Sequence, residues 1–348
     1  MGEHGLGRRA VSAAAVWAAV GMALPRAQAQ ARPEKSTLVI AVGGKTSLYY
    51  LPLTLAERLG FFKAEGLRVE VHDGMGGARA LQSVLGGAAD VLSVAYERTL
   101  QWQTVGQVLQ AFVLQGRAPQ IAIGVSMKTL PAFTGVPDLR GRRIGVTNLG
   151  ASSHMLARLL LSRYGVKASE VRFVGVGAAA EAVDALRTGQ IDAISTVDPV
   201  MTLLEQRGEV RVICDTRTLK GTQELFGGPM PAACLCTPPA FLQAYPRTAQ
   251  ALADAIVHAL KWLQTAGPGD LLKALPAPFW QGDRAAYLAA FHKVREAISP
   301  DGVFPPEGGR TAWQALRSVD ASLRTAHIDL DKTYTNLFAL KAKARFKA

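Results

Sequence analysis

Short apolar runs of four to six residues alternate along the chain with longer stretches in which apolar residues recur every three or four positions. The runs predict buried strands at 37–42, 67–71 and 91–95, and the longer stretches predict helices at 51–63 and 77–86. Strands that alternate with helices in this way build a mainly parallel sheet. The same order returns later in the chain, with predicted elements at 143–147, 153–164, 171–174, 179–188 and 193–197. The pattern therefore predicts two α/β lobes of similar build.

The chain is expected to cross between these lobes twice, near 120–124 and near 231–236. A strand at 232–237 returns to the first lobe, and the helices that follow, at 245–266, 283–298 and 310–325, are expected to pack on that lobe. Lobe one is therefore predicted to contain residues 32–122 and 232–348, and lobe two residues 123–231. Two lobes joined by two crossings can close on each other by a hinge motion.

The first 31 residues carry the pattern of a secretory signal peptide. Arg8 and Arg9 precede an uncharged, alanine-rich run at 10–24, and small residues in alternate positions follow at 27–31. We therefore expect cleavage near residue 31 and export to the periplasm, by a route that the sequence leaves open. Cleavage would lower the formal charge from +12 to +10. A basic surplus of this size favours the capture of small anions, and no nucleic-acid-binding motif accompanies it.

Chemistry that would mark an enzyme is not evident in the sequence. It contains no metal-ligand cluster, no nucleophile elbow and no phosphate-binding loop, so we expect neither a cofactor nor catalysis. The cysteines are Cys214, Cys234 and Cys236, too few for a disulfide scaffold in an exported chain of this length. A bridge from Cys214 to one of the other two is conceivable, but their apolar strands favour buried thiols.

Ligands of parallel sheets bind beyond the carboxyl ends of the strands, and two facing lobes form a cleft from both sets of loops. The candidate ligand-binding residues all follow predicted strands. They are Ser47, Tyr49, Gly76 and Tyr96 from lobe one, and Thr147, Gly150, Ser152, Ser153 and Asp198 from lobe two.

The most informative of these segments is 143–161, a strand that passes through a small-residue turn directly into a helix. Unpaired N–H groups and the positive end of the helix dipole would face an anion there. Ser152 or Ser153 can equally be the N-cap of the helix. Asp198 has the same two interpretations, because it precedes Pro199 at a helix start. Lys45 is the candidate cation of lobe one, and Tyr96 could stack on a planar ligand.

Several motifs together resemble one family. They are the segment 56–69 (AERLGFFKAEGLRV), the turn 87–90 (GAAD), the turn 150–154 (GASSH) and the pair Asp198-Pro199. In these the chain resembles the substrate-binding proteins of the nitrate, sulfonate and taurine class of ABC importers, the SsuA/THI5-like family.

The resemblance implies a type II periplasmic binding protein fold, which is α/β with two Rossmann-like lobes and a ligand cleft between them. It also implies a monomeric receptor that captures a small organic anion and delivers it to an ABC permease. Ser152, Ser153 and their backbone amides would hold the anionic head. Val197 and the pair Tyr96-Glu97 depart from the sulfonate-binding pattern, so the ligand stays open. The alternatives are a pyrimidine thiamine precursor as ligand, or an enzyme on the same fold.

Overall fold

The computed structural model describes residues 32–73, 77–280 and 282–348. The predicted signal peptide and Gly76, one of the predicted ligand-binding residues, lie outside the described residues. Within the described part of the chain, no helix combines the length and the apolar character that crossing a membrane requires.

The described residues form ten strands. In chain order they are β1 (Thr37–Val42), β2 (Arg68–His72), β3 (Val91–Ala95), β4 (Gln110–Leu114), β5 (Ile121–Ser126), β6 (Arg143–Val146), β7 (Arg172–Gly175), β8 (Ala193–Val197), β9 (Val210–Asp215) and β10 (Ala233–Thr237).

Fourteen α-helices connect and cover these strands in the described ranges. They are α1 (Leu51–Arg58), α2 (Phe61–Ala64), α3 (Gly77–Leu85), α4 (Glu97–Gln103), α5 (Ser152–Arg163), α6 (Ala180–Arg187), α7 (Val200–Gln206), α8 (Leu219–Phe226), α9 (Pro239–Ala244), α10 (Pro246–Thr265), α11 (Pro268–Ala274), α12 (Arg284–Val294), α13 (Gly308–Val319) and α14 (Leu337–Phe346).

The strands form two five-stranded sheets with matching topologies. The first has the order β2-β1-β3-β10-β4 and the second the order β7-β6-β8-β5-β9. In each sheet the fourth strand runs antiparallel to both neighbours, and this strand, β10 or β5, is one on which the chain enters the sheet from the other lobe. The first sheet with its helices is called the first lobe below, and the second sheet with its helices the second lobe. The predicted fold class, α/β with two Rossmann-like lobes, is confirmed.

The apolar runs of the sequence become the central strands of the sheets. Every residue of β3, β5, β8 and β10 is buried, because helices or neighbouring structure cover both faces of these strands. The edge strands β2 and β7 are only partly buried. Burial on both faces explains why the central strands appear in the sequence as continuous apolar runs rather than as alternating patterns.

The predicted helix at 51–63 is two helices in the structure. Helix α1 ends at Arg58, and α2 begins at Phe61 after Gly60, whose φ of 75° lies in the left-handed region. Glycine adopts this conformation without the steric cost that a β-carbon would bring. The apolar pattern continues across 51–63, but Gly60 ends the helical backbone and separates α1 from α2.

The C-terminal helices contribute to the core of the first lobe. Leu252 and Ile256 of α10 and Phe291 of α12 lie in the core beneath the first sheet. Helices α12 and α13 also contact the second lobe. Lys293 of α12 forms an ion pair with Glu205 of α7 (2.5 Å), and Ala315 of α13 shares a core with residues of α5. These helices therefore connect the two lobes.

The three cysteines are free thiols in the structure. Cys214 lies in β9 of the second sheet, while Cys234 and Cys236 lie buried in β10 of the first sheet. Burial raises the pKa of Cys214 to about 12 and also raises the pKa of Cys234. Thiols in this state stay protonated at neutral pH and act as small apolar side chains.

Candidate ligand-binding cleft

A cavity of about 260 Å³ lies where the loops that follow strands of both lobes meet. The first lobe contributes the segment after β1, the end of β3 and the start of α4. The second lobe contributes the turn between β6 and α5 and the end of β8. The residues that line the cavity are Gly43, Gly44, Ser47, Tyr49, Tyr50, Val94, Ala95, Arg98, Ile121, Thr147, Asn148, Leu149, Gly150, Ala151, Ser152, Ser153, Ala178 and Val197.

Six of the predicted ligand-binding residues are among them. They are Ser47, Tyr49, Thr147, Gly150, Ser152 and Ser153. The rule that selected them, proximity to the carboxyl end of a strand, brings them together because β1 and β6 hold equivalent positions in their two sheets. Whether a ligand contacts each of them stays a prediction.

The turn before α5 holds its shape through local hydrogen bonds. Gly150 has a φ of 80°, and its N–H donates to Nδ1 of His154 (2.9 Å). The Oγ of Ser153 accepts from the backbone N–H of Thr147 (3.0 Å) and lies 2.8 Å from Oγ1 of the same threonine. These bonds fix the direction in which the first turn of α5 points.

The N-cap of α5 is Ala151, which has no side chain that can accept a hydrogen bond. Ser152 and Ser153 are the first two helical residues, so the interpretation of either as the N-cap is wrong. The N–H groups of these serines and of His154 belong to the first turn, where a helix supplies no acceptor of its own. The helix therefore presents donors and its positive end at the wall of the cavity.

Among the described residues, three hydrogen bonds join the lobes beside the cavity. Ser152 donates its hydroxyl to the carboxylate of Glu97, and Nη2 of Arg98 donates to the carbonyl oxygen of Gly150 (2.6 Å). The backbone N–H of Leu48 donates to the carbonyl oxygen of Asp198 (3.2 Å). The structure therefore has the two lobes closed on each other.

Within the described ranges, the cation that lines the cavity is Arg98 and not Lys45. Lys45 does not line the cavity, and its ammonium forms an ion pair with Glu57. Arg98 lines the cavity from the first turn of α4, and Nη1 donates to the side chain of Gln101 (2.9 Å). The sequence reasoning missed Arg98, although Arg98 also lies just after a predicted strand. Attention to the first turn of the helix, as well as to the loop, would have found it.

Tyr96 does not reach the cleft, which corrects the prediction that it stacks on a ligand. The side chain is fully buried in the first lobe, where its hydroxyl lies 2.6 Å from Oγ1 of Thr333 and its ring packs near Phe304. Burial raises the pKa of Tyr96 above its usual range. A large ring with a satisfied hydroxyl gains more from this core position than from exposure in the cleft.

Asp198 is likewise absent from the cavity wall. Its buried carboxylate accepts the backbone N–H of Thr202 in α7 (2.8 Å) and lies 3.4 Å from Nη1 of Arg217. Burial raises the pKa of Asp198, and the positive charge of Arg217 opposes that effect. These contacts support the interpretation that the Asp198 side chain stabilises the start of α7. They do not support the interpretation that it contacts a ligand.

The charges at the cleft are unevenly placed. Arg98 lines the cavity, whereas the adjacent Glu97 lies just behind the wall with 3% of its surface exposed. Burial, and after it the charge of Glu97, raises the pKa of both Tyr49 and Tyr50. Among the described residues, no group of three or more His, Cys, Asp or Glu side chains is placed to hold a metal ion.

The fold and the cleft together define a class: a two-lobed protein of the periplasmic binding protein fold. Residues 47–266 match the family described as NMT1/THI5 like, and the chain belongs to this family. The predicted resemblance to the SsuA/THI5-like proteins is thereby confirmed.

Solved structures support the same fold. A protein of Bordetella bronchiseptica RB50 is 51% identical, with a TM-score of 0.86 over 91% of this chain and 100% of the other. The periplasmic nitrate-binding protein NrtA of Synechocystis PCC 6803 is 14% identical, with a TM-score of 0.73 over 90% of each chain. The alkanesulfonate-binding protein SsuA of Xanthomonas axonopodis pv. citri, bound to MOPS, is 18% identical, with a TM-score of 0.65 over 87% of this chain and 99% of the other.

Proposed function

We propose that this protein is the exported receptor of an ABC importer, and that it captures a small organic anion such as a sulfonate, taurine or a similar acid between its two lobes. The observation that carries the proposal is the first turn of α5, which faces the cavity between the lobes together with Arg98. Backbone N–H groups at a helix start and a guanidinium are both strong donors to an anionic head group.

The size and lining of the cavity support a small ligand. A volume of about 260 Å³ lies just below the usual range of ligand-binding pockets, about 300 to 1,000 Å³. Apolar groups from Val94, Ala95, Ile121 and Val197 form part of the wall, while the hydroxyls of Ser47 and Thr147 add polar contacts. A short carbon skeleton with one acid group fits this combination.

Two proteins of the same fold are named for the anions that they bind: SsuA is an alkanesulfonate-binding protein, and NrtA is a nitrate-binding protein. The hydrogen bonds that join the lobes beside the cavity suit a receptor that closes over its ligand. The signal-peptide pattern at 1–31 supports export to the periplasm. There the receptor would act as a monomer and deliver its ligand to the permease.

One feature favours a second ligand class. Tyr49 and Tyr50 both line the cavity, with ring centroids 4.9 Å apart and planes inclined at 78°. An aromatic wall of this kind could hold a planar ligand such as a pyrimidine thiamine precursor. We favour an anion as the ligand, because the charge of Arg98 and the N–H groups at the start of α5 would stabilise an acid group but not a neutral ring.

The test is thermal unfolding of the purified, ligand-stripped protein with sulfonates, carboxylates, nitrate, phosphates and pyrimidines at millimolar concentration. A ligand at about 100 times its Kd stabilises the folded state by about 2.7 kcal/mol, which raises the midpoint by several degrees. We expect small organic anions to give this rise. Product analysis of the same mixtures tests for turnover, which would favour an enzyme.

The matched variants are Ser153→Ala, which removes a hydroxyl from the cavity wall, and Ser162→Ala, which removes an exposed hydroxyl from the same helix. Ser153→Ala should reduce the ligand-induced rise, and Ser162→Ala should leave it unchanged. A rise with pyrimidines alone, or no rise with any anion, would refute the proposed ligand class.

A further inference from the structure

Glu97 is a buried carboxylate at the start of α4, with 3% of its surface exposed. Among the described residues, no lysine, arginine or histidine forms an ion pair with it. The neighbouring Arg98 directs its guanidinium to Gly150 and Gln101 instead. The hydrogen bond donor that Glu97 does have is the hydroxyl of Ser152.

A buried carboxylate without a cation is costly, because removal of a charge from water is offset only by an opposite charge or by several hydrogen bonds. The one hydroxyl of Ser152 offsets only part of this cost. Ser152 also belongs to the other lobe, so this hydrogen bond exists only while the lobes are closed. When the lobes open, Glu97 loses this donor.

The surroundings of Glu97 suit a cationic group. Its negative charge acts on the phenols of Tyr49 and Tyr50, and both of these rings line the cavity. The faces of aromatic rings attract cations. One region of the wall therefore favours positive charge, formed by the two tyrosines with Glu97 just behind the wall.

The opposite preference lies next to it. Arg98 and the first turn of α5 favour negative charge, and Arg98 is adjacent to Glu97 in the chain. Groups of opposite preference thus converge on a cavity of about 260 Å³. A ligand with only an acid group would leave Glu97 uncompensated and would be repelled by it.

We propose that the ligand of this cleft is a small zwitterion, with a protonated amine a few bonds from its acid group, and that Glu97 determines this specificity by accepting hydrogen bonds from the amine. The proposal rests on the function proposed above and narrows its ligand class.

The experiment is calorimetric titration with matched pairs of probes that differ chiefly in the amine: taurine against ethanesulfonate, and β-alanine against propionate. The wild-type protein should bind the amine-bearing member of at least one pair 10-fold or more tightly than the other member. This comparison needs no variant, so it does not depend on how a substitution folds.

The Glu97→Gln variant keeps the shape of the side chain and removes its charge. It should weaken binding of the amine-bearing probe 10-fold or more, and binding of the amine-free probe should stay unchanged or improve. Glu70→Gln is the matched control, because the side chain of Glu70 is 74% exposed in β2. Circular dichroism and the thermal midpoint of each variant establish that it is folded.

The other outcomes separate this inference from the proposed function. If the wild-type protein prefers the amine-free acids, the anion receptor stands and the zwitterion is refuted. If Glu97→Gln weakens both members of a pair equally, Glu97 serves lobe closure and does not select the amine, which also refutes the inference. If neither member of either pair binds, and no other acid in the thermal panel raises the unfolding midpoint, the proposed function fails and the inference fails with it.

Discussion

The guanidinium of Arg217 lies 3.4 Å from the carboxylate of Asp198, and both side chains are essentially inaccessible to water. Arg217 also pairs with Asp215 (2.6 Å) and Glu205 (3.2 Å). Glu205 in turn pairs with Lys293 of α12. The side chain of Asp198 does not line the cavity. Its backbone carbonyl accepts a hydrogen bond from the N–H of Leu48 in the first lobe. This buried cluster therefore supports one of the contacts between the lobes.

Replacement of Arg217 by Met should destabilise the protein strongly. The substitution keeps much of the side-chain volume but leaves Asp198 as an uncompensated buried charge, which typically costs about 3–5 kcal/mol. Urea unfolding measures the effect. Lys220→Met is the control, since Lys220 is exposed and its pair with Glu224 at 3.9 Å should contribute less than about 1 kcal/mol. Equal stability losses in the two variants would contradict the structural role of the Arg217–Asp198 pair.

Tyr96→Phe should lower stability without altering ligand affinity. The change removes a hydroxyl that is hydrogen-bonded to Thr333 in the core, and the loss of this one buried hydrogen bond costs about 0.5–1.5 kcal/mol, since Thr333 keeps its bond to the carbonyl oxygen of Leu330. Because the ring lies outside the cavity, ligand titration of the folded variant should give the wild-type Kd. A changed Kd with unchanged stability would place Tyr96 in the cleft after all.

Arg98 and Lys45 provide a matched comparison of two cations in the first lobe. Arg98→Gln should weaken the binding of an acidic ligand about 10- to 100-fold, because a charge-assisted hydrogen bond contributes about 1.5–3 kcal/mol. Lys45→Gln should change the affinity less than 3-fold, since its ammonium pairs with Glu57 and does not line the cavity. Isothermal titration of both variants measures the difference, and a larger loss for Lys45→Gln would reverse the assignment of the cation.

Glu34 should make stability depend on pH in acid. Burial raises the pKa of Glu34, but hydrogen bonds from the backbone and from the side chain of Arg247 outweigh it and lower the pKa from 4.5 to about 2. The folded state thus binds a proton at Glu34 less readily than the unfolded state does. Its stabilisation is complete above pH 4.5 and is lost as the pH falls towards 2.

The Glu34→Gln variant tests this dependence, because it cannot titrate at residue 34. Wild-type protein should be more stable than the variant above pH 5, and the gap should narrow as the pH falls from 4.5 to 2. Unfolding free energies measured across this range show whether it does. A gap that stays constant with pH would show that Glu34 does not carry the effect.

The order of the elements could be predicted from the sequence because hydrophobic periodicity is a local property. Five consecutive apolar residues at 91–95 or 193–197 indicate a buried strand whatever lies elsewhere in the chain. The repeated strand–helix order then predicted two lobes, and the rule that ligands bind beyond strand ends predicted the cleft. The glycine and serines of the turn at 150–153 were found in the same way.

The direction of individual side chains was decided by tertiary contacts. Tyr96 turns inward because Thr333, 237 positions later, offers its hydroxyl a partner. Asp198 turns away from the cleft because Arg217 is buried beside it, and α12 contacts the second lobe through Lys293. A local pattern contains no information about which distant residue compensates a buried charge or hydroxyl. The sequence therefore determined the lobes and the place of the cleft, and only the folded structure decided which charges face its interior.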